Sequence, residues 1–164
     1  TFDTRIHDLD SVRSWWAARA EVDAVTEGLA VISLRESSFF RGRQVSQYFN
    51  LTERPRRATS HDVLRIIEGR PSAGPGPGEI WVPTALAQDA GIHVGDTLEI
   101  PAADGLEPFV VGAVVVDPQF SAPFTNPTRI WVGAGELPAH FQSPRLSSVT
   151  VGVRLKSLEG SDQL

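Results

Sequence analysis

Cysteine is absent from this chain of 164 residues, and no apolar run approaches the ~18–20 residues that a bilayer-spanning helix needs. Without cysteine, neither a disulfide framework nor a thiolate metal site can form, so disulfides neither indicate nor exclude an oxidising location. Basic residues are also in deficit, because 15 Lys and Arg stand against 20 Asp and Glu, for a net charge of −5. The arginines are scattered, whereas a nucleic-acid-binding protein needs a concentrated basic face. We therefore predict no nucleic-acid partner.

The chain also lacks an initiator Met and the charged start and cleavage site of a signal peptide. It starts at Thr1 and stops at Leu164 on a polar tail, so we expect both ends to lie within a longer protein. The hydrophobic share of 41% and the charged share of 21% are ordinary for a globular protein. This length suits one domain, or two small lobes that share a core.

Signatures of catalysis and cofactor binding are missing too. There is no G-x-S-x-G elbow and no S-x-x-K motif. The run at 74–78 (GPGPG) is not a phosphate loop, because its prolines remove amide hydrogens that a phosphate would need. The four histidines are dispersed along the chain, at His7, His61, His93 and His140. His7 has Asp8 and Asp10 close by, in IHDLD, and a solvated turn with a helix cap explains them better than a metal site. We predict no catalytic, cofactor or metal site.

Proline and glycine, by contrast, are frequent. The 12 prolines and 14 glycines favour many turns and a β-rich body with few long helices. Apolar periodicity predicts the intervening elements. Helices are predicted at 9–21, 84–90 and, as a short turn, 136–141; strands are predicted at 22–34 (one or two, interrupted near Gly28), 39–51, 79–82, 97–100, 109–116, 129–133 and 148–156, with 61–68 a short apolar segment.

Three of these predictions carry local detail. The almost wholly apolar run 109–116 predicts a central strand buried on both faces, in which Gly112 indicates a bulge or a close approach of backbone. Thr84 is expected to cap the helix that Gly91 terminates. The alternation over 148–156 predicts a single half-buried strand.

Two aromatic residues and a basic cluster offer surface roles, each with a simpler explanation. Arg54, Arg56 and Arg57 could contact anionic headgroups or a partner protein, but a solvated polar loop is the better explanation. Trp15 and Trp16 could be anchors at a membrane interface. Helical spacing instead places Trp16 in a core and Trp15 at its margin.

A glycosylation sequon is present at Asn50-Leu51-Thr52, although so short a pattern carries little weight.

A series of short phrases runs through about residues 20–135: Glu21–Thr26 (EVDAVT), Ile67–Pro71 (IEGRP), Gly78–Pro83 (GEIWVP), Ala87–Gly91 (AQDAG), Val94–Leu98 (VGDTL) and Phe109–Asp117 (FVVGAVVVD). In order and spacing the series resembles the extracytoplasmic domain of FtsX-like and MacB-like ABC transporter permeases. Two stretches depart from that pattern: the loop 73–78 is expanded with Gly and Pro, and 39–60 aligns with nothing.

The resemblance implies an α+β fold, the MacB-like periplasmic core domain, with a porter-like helix/strand lobe (1–51 and 146–164) and an inserted β-rich lobe (52–145). It implies that this domain lies on the extracytoplasmic side of a bacterial cell membrane. There it would engage substrate or an envelope partner and relay conformational change driven by ATP. The implied partners are a cytoplasmic ABC ATPase subunit, reached through the membrane part, and an envelope protein, a lipoprotein or a small-molecule substrate. The domain itself would be no enzyme and would bind no nucleotide.

The shared phrases are expected to play structural parts. Gly69 and Gly91 can adopt positive φ at turns, which other residues do only at a cost. Asp96, after Gly95, can bond neighbouring amides and fix the turn into the next strand. The structural-motif residues are Gly69, Arg70, Pro71, Gly78, Glu79, Gly91, Gly95, Asp96 and Gly112. Function specific to this protein is expected elsewhere, in stretches such as 39–60.

Two other interpretations remain open at this stage. The stretch Gly91–Ile100 also resembles the glycine-aspartate turn of double-psi β-barrels, which would make the chain a module of a larger enzyme. A DNA-binding swapped-hairpin dimer uses a similar turn but conflicts with the acidic balance of the chain.

Overall fold

Short strands separated by Gly and Pro dominate the computed structural model of the chain. It describes residues 9–25, 29–34, 37–46, 49–54, 64–102, 105–117, 128–133 and 147–156. The elements in chain order are α1 (Leu9–Ala17), β1 (Val22–Val25), β2 (Leu29–Leu34), β3 (Ser38–Phe40), β4 (Arg43–Ser46), β5 (Phe49–Arg54), β6 (Arg65–Gly69), β7 (Glu79–Pro83), α2 (Thr84–Ala90), β8 (Thr97–Ala102), β9 (Gly105–Val116), β10 (Thr128–Gly133), β11 (Ser147–Thr150) and β12 (Val153–Leu155).

The described strands form two sheets. β1 and β12 pair antiparallel, and α1 contacts β1, so both ends of the described chain meet in one small unit. The other ten strands form a mixed sheet with the order β11-β2-β5-β10-β7-β9-β8-β3-β4, and β6 pairs with β9 beside this path. Within it, β5 and β10 run parallel, as do β7 and β9, and the remaining pairs are antiparallel.

The sheet is buried on both faces at its centre. Along β7, Ile80 and Val82 belong to a large, mainly aliphatic cluster on one face, while Trp81 belongs to a smaller cluster on the other. β10 repeats this arrangement with its own tryptophan, Trp131. Because both faces are covered, these strands have apolar runs instead of an alternating pattern. Leu86 of α2 is buried in the aliphatic cluster.

β9 is the long apolar strand that the sequence predicts, and it pairs with β6, β7 and β8. The predicted burial on both faces holds for Ala113 to Val115 but is wrong at Val110 and Val116. Val110 is 44% exposed and Val116 is 36% exposed. Phe109 and Val111 face the aliphatic cluster, so Val110 between them points to the opposite side of the sheet, where it is open to solvent.

The predicted single strand over 148–156 is wrong. Its residues form β11 and β12, which the residues Val151 and Gly152 separate and which pair with β2 in one sheet and β1 in the other. The run 22–34 is likewise two strands in different sheets, an outcome that the interruption near Gly28 allowed.

Other boundaries also differ from the predictions. α1 ends at Ala17 and not at residue 21. The predicted strand over 39–51 is a hairpin of β3 and β4 followed by the start of β5. Thr84 does not cap α2: Pro83 occupies the N-cap position without a side-chain hydrogen bond, and the Thr84 hydroxyl donates to the Val115 carbonyl at 3.0 Å. The predicted turn at 136–141 lies outside the described residues.

The two-lobe division of the chain stays a prediction. Its proposed boundary between residues 51 and 52 falls inside β5, and β3 from the first segment pairs with β8 from the second. Hydrogen bonding in the large sheet is therefore continuous across the proposed boundary.

Candidate functional site

Most of the structural-motif residues converge on one point of β9. The register of β7 against β9 shifts between Ile80, opposite Val111, and Trp81, opposite Ala113, so Gly112 is the extra residue of a β-bulge. We call residues 110–113 the β9 bulge. The predicted bulge at Gly112 is present in the structure.

Two of the glycines allow the backbone to come very close to this bulge. Gly69 of β6 has φ +116, and a Cβ atom there would lie 2.6 Å from the carbonyl oxygen of Gly112. A Cβ atom on Gly112 would lie 2.8 Å from Oε2 of Glu79. Real Cβ atoms essentially never come within 3.0 Å of a neighbouring heavy atom. The obstructing atom at Gly69 belongs to backbone, so only glycine fits there, whereas at Gly112 it belongs to the flexible side chain of Glu79.

The turns on either side bond directly to the bulge. The Val110 amide donates to the Gly78 carbonyl at 3.0 Å. The Gly95 amide donates to the Val111 carbonyl, and the Val111 amide donates to the Asp96 carbonyl, both at 2.8 Å. Turns that are distant from each other in sequence thus form hydrogen bonds with one segment of β9 from both sides.

The carboxylates around the bulge are occupied by backbone amides. Glu79 Oε2 accepts from the Gly76 amide at 3.0 Å, and Asp96 Oδ2 accepts from the His93 amide at 2.8 Å. Glu68 Oε1 accepts from the Val94 amide at 3.1 Å. Such bonds fix turns. In the described part of the chain, no group of three or more His, Cys, Asp or Glu side chains could hold a metal ion.

The remaining motif residues have other positions. Gly91 ends α2 in the left-handed conformation, with φ 66. Arg70 and Pro71 are exposed.

A prediction follows for Gly112. Its replacement by Ala is expected to displace the Glu79 carboxylate from the Gly76 amide, because a flexible side chain gives way before backbone does. The expected loss in the free energy of unfolding is about 1–2 kcal/mol. Urea denaturation of Gly112→Ala, Glu79→Ala and the double variant measures the coupling. Because Glu79→Ala removes the atom that clashes, the double variant should lose less than the sum of the single losses. Additive losses would contradict this account.

A second constellation, which the predictions from the sequence miss, lies on the opposite face of the sheet from the aliphatic cluster. Arg54 is only 7% exposed, and its guanidinium carbon lies 4.8 Å from the ring centroid of Trp81. Its Nε donates to the Ala73 carbonyl at 2.5 Å. The interpretation of Arg54 as part of a solvated loop is therefore wrong, whereas Arg56 and Arg57 lie outside the described residues.

Burial lowers the pKa of both arginines in this constellation. Desolvation lowers the pKa of Arg54 to about 10, and the negative charge of Asp117 acts in the opposite direction. Burial also lowers the pKa of Arg129, which Asp117 again opposes. Arg129 and Asp117 form an ion pair, in which Arg129 Nη1 lies 3.5 Å from Asp117 Oδ2. Asp117 thus offsets part of the cost of burying two cations.

A signal for this constellation exists in the sequence. Ile80-Trp81-Val82 and Ile130-Trp131-Val132 are the same tripeptide, and the register of β7 against β10 places the two tryptophans opposite each other. Repetition of the tripeptide indicates two neighbouring strands with a common pattern of burial. It does not indicate which cation packs on the rings.

The glycosylation sequon lies in β5, where its acceptor Asn50 is half-buried. Thr52 is 6% exposed and Leu51 is fully buried, within a strand that pairs with β2 and β10. Glycosylation needs a surface loop.

The two tryptophans of α1 differ from the prediction as well. Trp16 is half-buried and not a core residue, while Trp15 is 53% exposed. Their rings meet edge to face at 4.9 Å, and the Arg19 guanidinium carbon lies 3.9 Å from the Trp15 centroid. Neither described helix has the length and apolar character that a membrane span requires. Of the four histidines, only His93 is described; its Nδ1 lies 3.5 Å from Glu68 Oε2.

Three solved structures share the architecture of the chain. A domain of a protein described as a permease, from Porphyromonas gingivalis, matches with a TM-score of 0.55 and 17% identity, over 90% of this chain and 70% of that one. The extracellular domain of the noncanonic ABC-type transporter YknZ, from Gram-positive bacteria, matches with a TM-score of 0.54 and 14% identity, over 94% and 76%. The periplasmic region of MacB from Actinobacillus actinomycetemcomitans matches with a TM-score of 0.55 and 11% identity, over 94% and 69%.

The chain has the MacB-like fold. The α+β class and the resemblance stated from the sequence are confirmed at the level of the fold. No protein-family model and no curated protein sequence matches the chain. The MacB-like fold covers nearly the whole chain, whereas the double-psi alternative accounts for about ten residues at Gly91–Ile100.

Proposed function

We propose that this chain is the extracytoplasmic domain of a bacterial ABC transporter permease. One observation carries the proposal: the fold is shared over 90–94% of the chain with three domains, each described as part of a permease or of an ABC-type or MacB transporter. Two of the three are described as extracellular or periplasmic. The series of short phrases in the sequence supports the same assignment independently of the fold.

In this role the domain engages substrate or an envelope partner and relays conformational change that a cytoplasmic ATPase drives. The carboxylates near the β9 bulge bond to backbone amides, which suits a rigid scaffold better than acid–base chemistry. The domain is therefore proposed to be no enzyme, with ATP hydrolysis in a separate subunit. The division into a porter-like lobe and an inserted β-rich lobe belongs to the same proposal.

The side of the membrane is testable because the chain contains no cysteine. Asp10→Cys introduces one thiol at a side chain that is 88% exposed. In intact cells that make the full-length parent protein, with any cysteines outside this chain replaced, we expect a membrane-impermeant maleimide to label it. Leu51→Cys is the matched control, because a fully buried thiol should react only after denaturation. Labelling of Asp10→Cys only after the cells are lysed would place the domain inside the cell and refute the proposal.

The parent gene provides a second test. Apolar helices of about 20 residues on either side of the domain, with an ATPase gene next to it, are what the proposal requires. A parent protein without such helices would contradict it.

A further inference from the structure

The sheet ends at a hairpin with an unusual turn. β4 is the last strand in the described order, and β3 is its one neighbour there. Arg41 and Gly42 connect the two strands, with φ of 51 and 72. Positive φ at both positions is typical of a type I′ turn, which favours Asn-Gly. An arginine in this conformation costs about 1–2 kcal/mol, so its side chain needs an explanation.

The Arg41 side chain is fixed by two contacts. Its Nη2 donates to Asp96 Oδ1 at 3.3 Å, and its guanidinium carbon lies 4.7 Å from the centroid of the Phe40 ring. These contacts hold the tip of the hairpin against the turn that follows α2. They also use the charge of Arg41 locally, which leaves it less available to a partner.

A groove of about 420 Å³ lies between this hairpin and α2. We call it the hairpin groove. Its apolar lining comes from Phe40, Val45 and Ala90, and the first of these is 5% exposed. Exposed polar side chains stand at its two rims, Arg43 on the hairpin and Asp89 on the helix.

Beside the groove, the outer edge of β4 pairs with no other strand that the structure describes. Phe40 and Arg43 close the two-residue turn, so they form the hydrogen-bonded pair. Bonding direction alternates along an antiparallel strand, which turns the amide and carbonyl of Gln44 away from β3. Residues 41–44 are all exposed. An extended peptide can therefore reach these two groups.

Charge selects the kind of peptide. Arg43 is exposed and makes no ion pair with any carboxylate that the structure describes. It shares a face of the hairpin with Phe40, its cross-strand partner, and both line the groove. Residues that line one face of an added strand are two apart. A carboxylate beside Arg43 would thus be followed or preceded, two positions away, by a side chain over the apolar lining.

We propose that the hairpin groove docks an extended segment of a partner protein that carries an acidic residue and an apolar residue two positions apart. The segment adds a strand to β4 through the backbone of Gln44. Its apolar side chain enters the groove, and its carboxylate pairs with Arg43. The inference goes beyond the assignment to a permease and does not depend on it.

Selection from a displayed library of random ten-residue peptides tests the inference on the chain itself. We expect the selected peptides to share the acidic-x-apolar or apolar-x-acidic pattern. Arg43→Glu should then weaken the best peptide about tenfold or more in fluorescence anisotropy, because a charge pair becomes a repulsion. Arg65→Glu is the matched control: Arg65 is also exposed, begins the strand β6 and should leave affinity within about twofold.

Backbone pairing has its own pair of variants. Gln44→Pro removes the outward amide without touching the bonds to β3, and we expect it to weaken binding about tenfold, whereas Gln44→Ala should have little effect. Circular dichroism verifies that each variant is folded.

The inference is overturned if no peptide is selected, if the selected peptides lack the pattern, or if Arg43→Glu and Arg65→Glu weaken binding equally. A concentration-dependent dimer in sedimentation that Arg43→Glu dissociates would assign the groove to a second copy of the chain, and would overturn it as well.

Discussion

Gly69→Ala is expected to lower the free energy of unfolding by about 3–5 kcal/mol, or to prevent folding. Two penalties add at this residue. Its φ of +116 lies in a region that residues with a Cβ atom rarely adopt. The new Cβ would also lie 2.6 Å from the Gly112 carbonyl oxygen and 3.0 Å from Ala113 Cα. Those atoms belong to backbone that is paired with β6 and β7, so they cannot move aside as a side chain could.

Gly105→Ala is the matched control for this prediction. Gly105 has a similar φ of +128, but a Cβ there would have nothing within 4 Å. Gly105→Ala should therefore lower the free energy of unfolding only by the conformational penalty, about 1–2 kcal/mol. Urea denaturation followed by circular dichroism compares the two variants. Equal losses would mean that the close approach of β6 to the β9 bulge contributes nothing to stability.

Trp81→Ala is expected to cost about 3–5 kcal/mol, the usual range for removing a buried tryptophan. The ring is 2% exposed and packs with Trp131 and Val115. It also provides the aromatic face against which the Arg54 guanidinium lies. Its removal leaves a cavity beside a cation that burial already disfavours, which raises the cost further.

Trp15→Ala provides the comparison, since the same chemical change is made where the ring is 53% exposed. Its expected cost is below about 1 kcal/mol, including the loss of the cation–π contact with Arg19. Guanidinium chloride denaturation measures both variants. A small loss for Trp81→Ala would show that the second face of the sheet is not a packed core.

Local rules predict the features of this fold that depend on neighbouring residues. Gly112 within an apolar run predicts the bulge, and Gly91 predicts the end of α2. Both follow from what a residue without a side chain permits. The strands β7, β8 and β10 are predicted for a related reason, because Gly and Pro mark their boundaries.

Features that depend on distant residues are not predicted. The alternation from Val149 to Leu155 continues regularly although β11 and β12 join different sheets, since periodicity records exposure and not the identity of the neighbouring strand. Gly152 marks the break that the alternation conceals.

Hydrogen-bond partners are equally invisible to local rules. Thr84 has the chemistry of a helix cap, but its hydroxyl bonds to Val115 on a strand that comes later in the chain.

The same limit explains why the burial of Arg54 is not predicted. The local sequence of Arg54, ERPRR, is typical of a solvated loop. Its burial depends instead on Trp81, which belongs to β7, and on the carbonyl of Ala73, which lies in the loop before β7. The local sequence pattern does not indicate the burial of a cation when that burial results from packing against distant residues.

The strand order determines when the chain can fold during synthesis. β2 and β5 lie near the start of the chain, yet β5 pairs with β10 and β2 pairs with β11, both near its end. Until those strands emerge, β2 and β5 have unpaired edges, and contacts this distant form slowly. Unpaired edges of this kind invite association with other chains. The interval between synthesis of β5 and synthesis of β11 is therefore when these edges are most open to association with other chains.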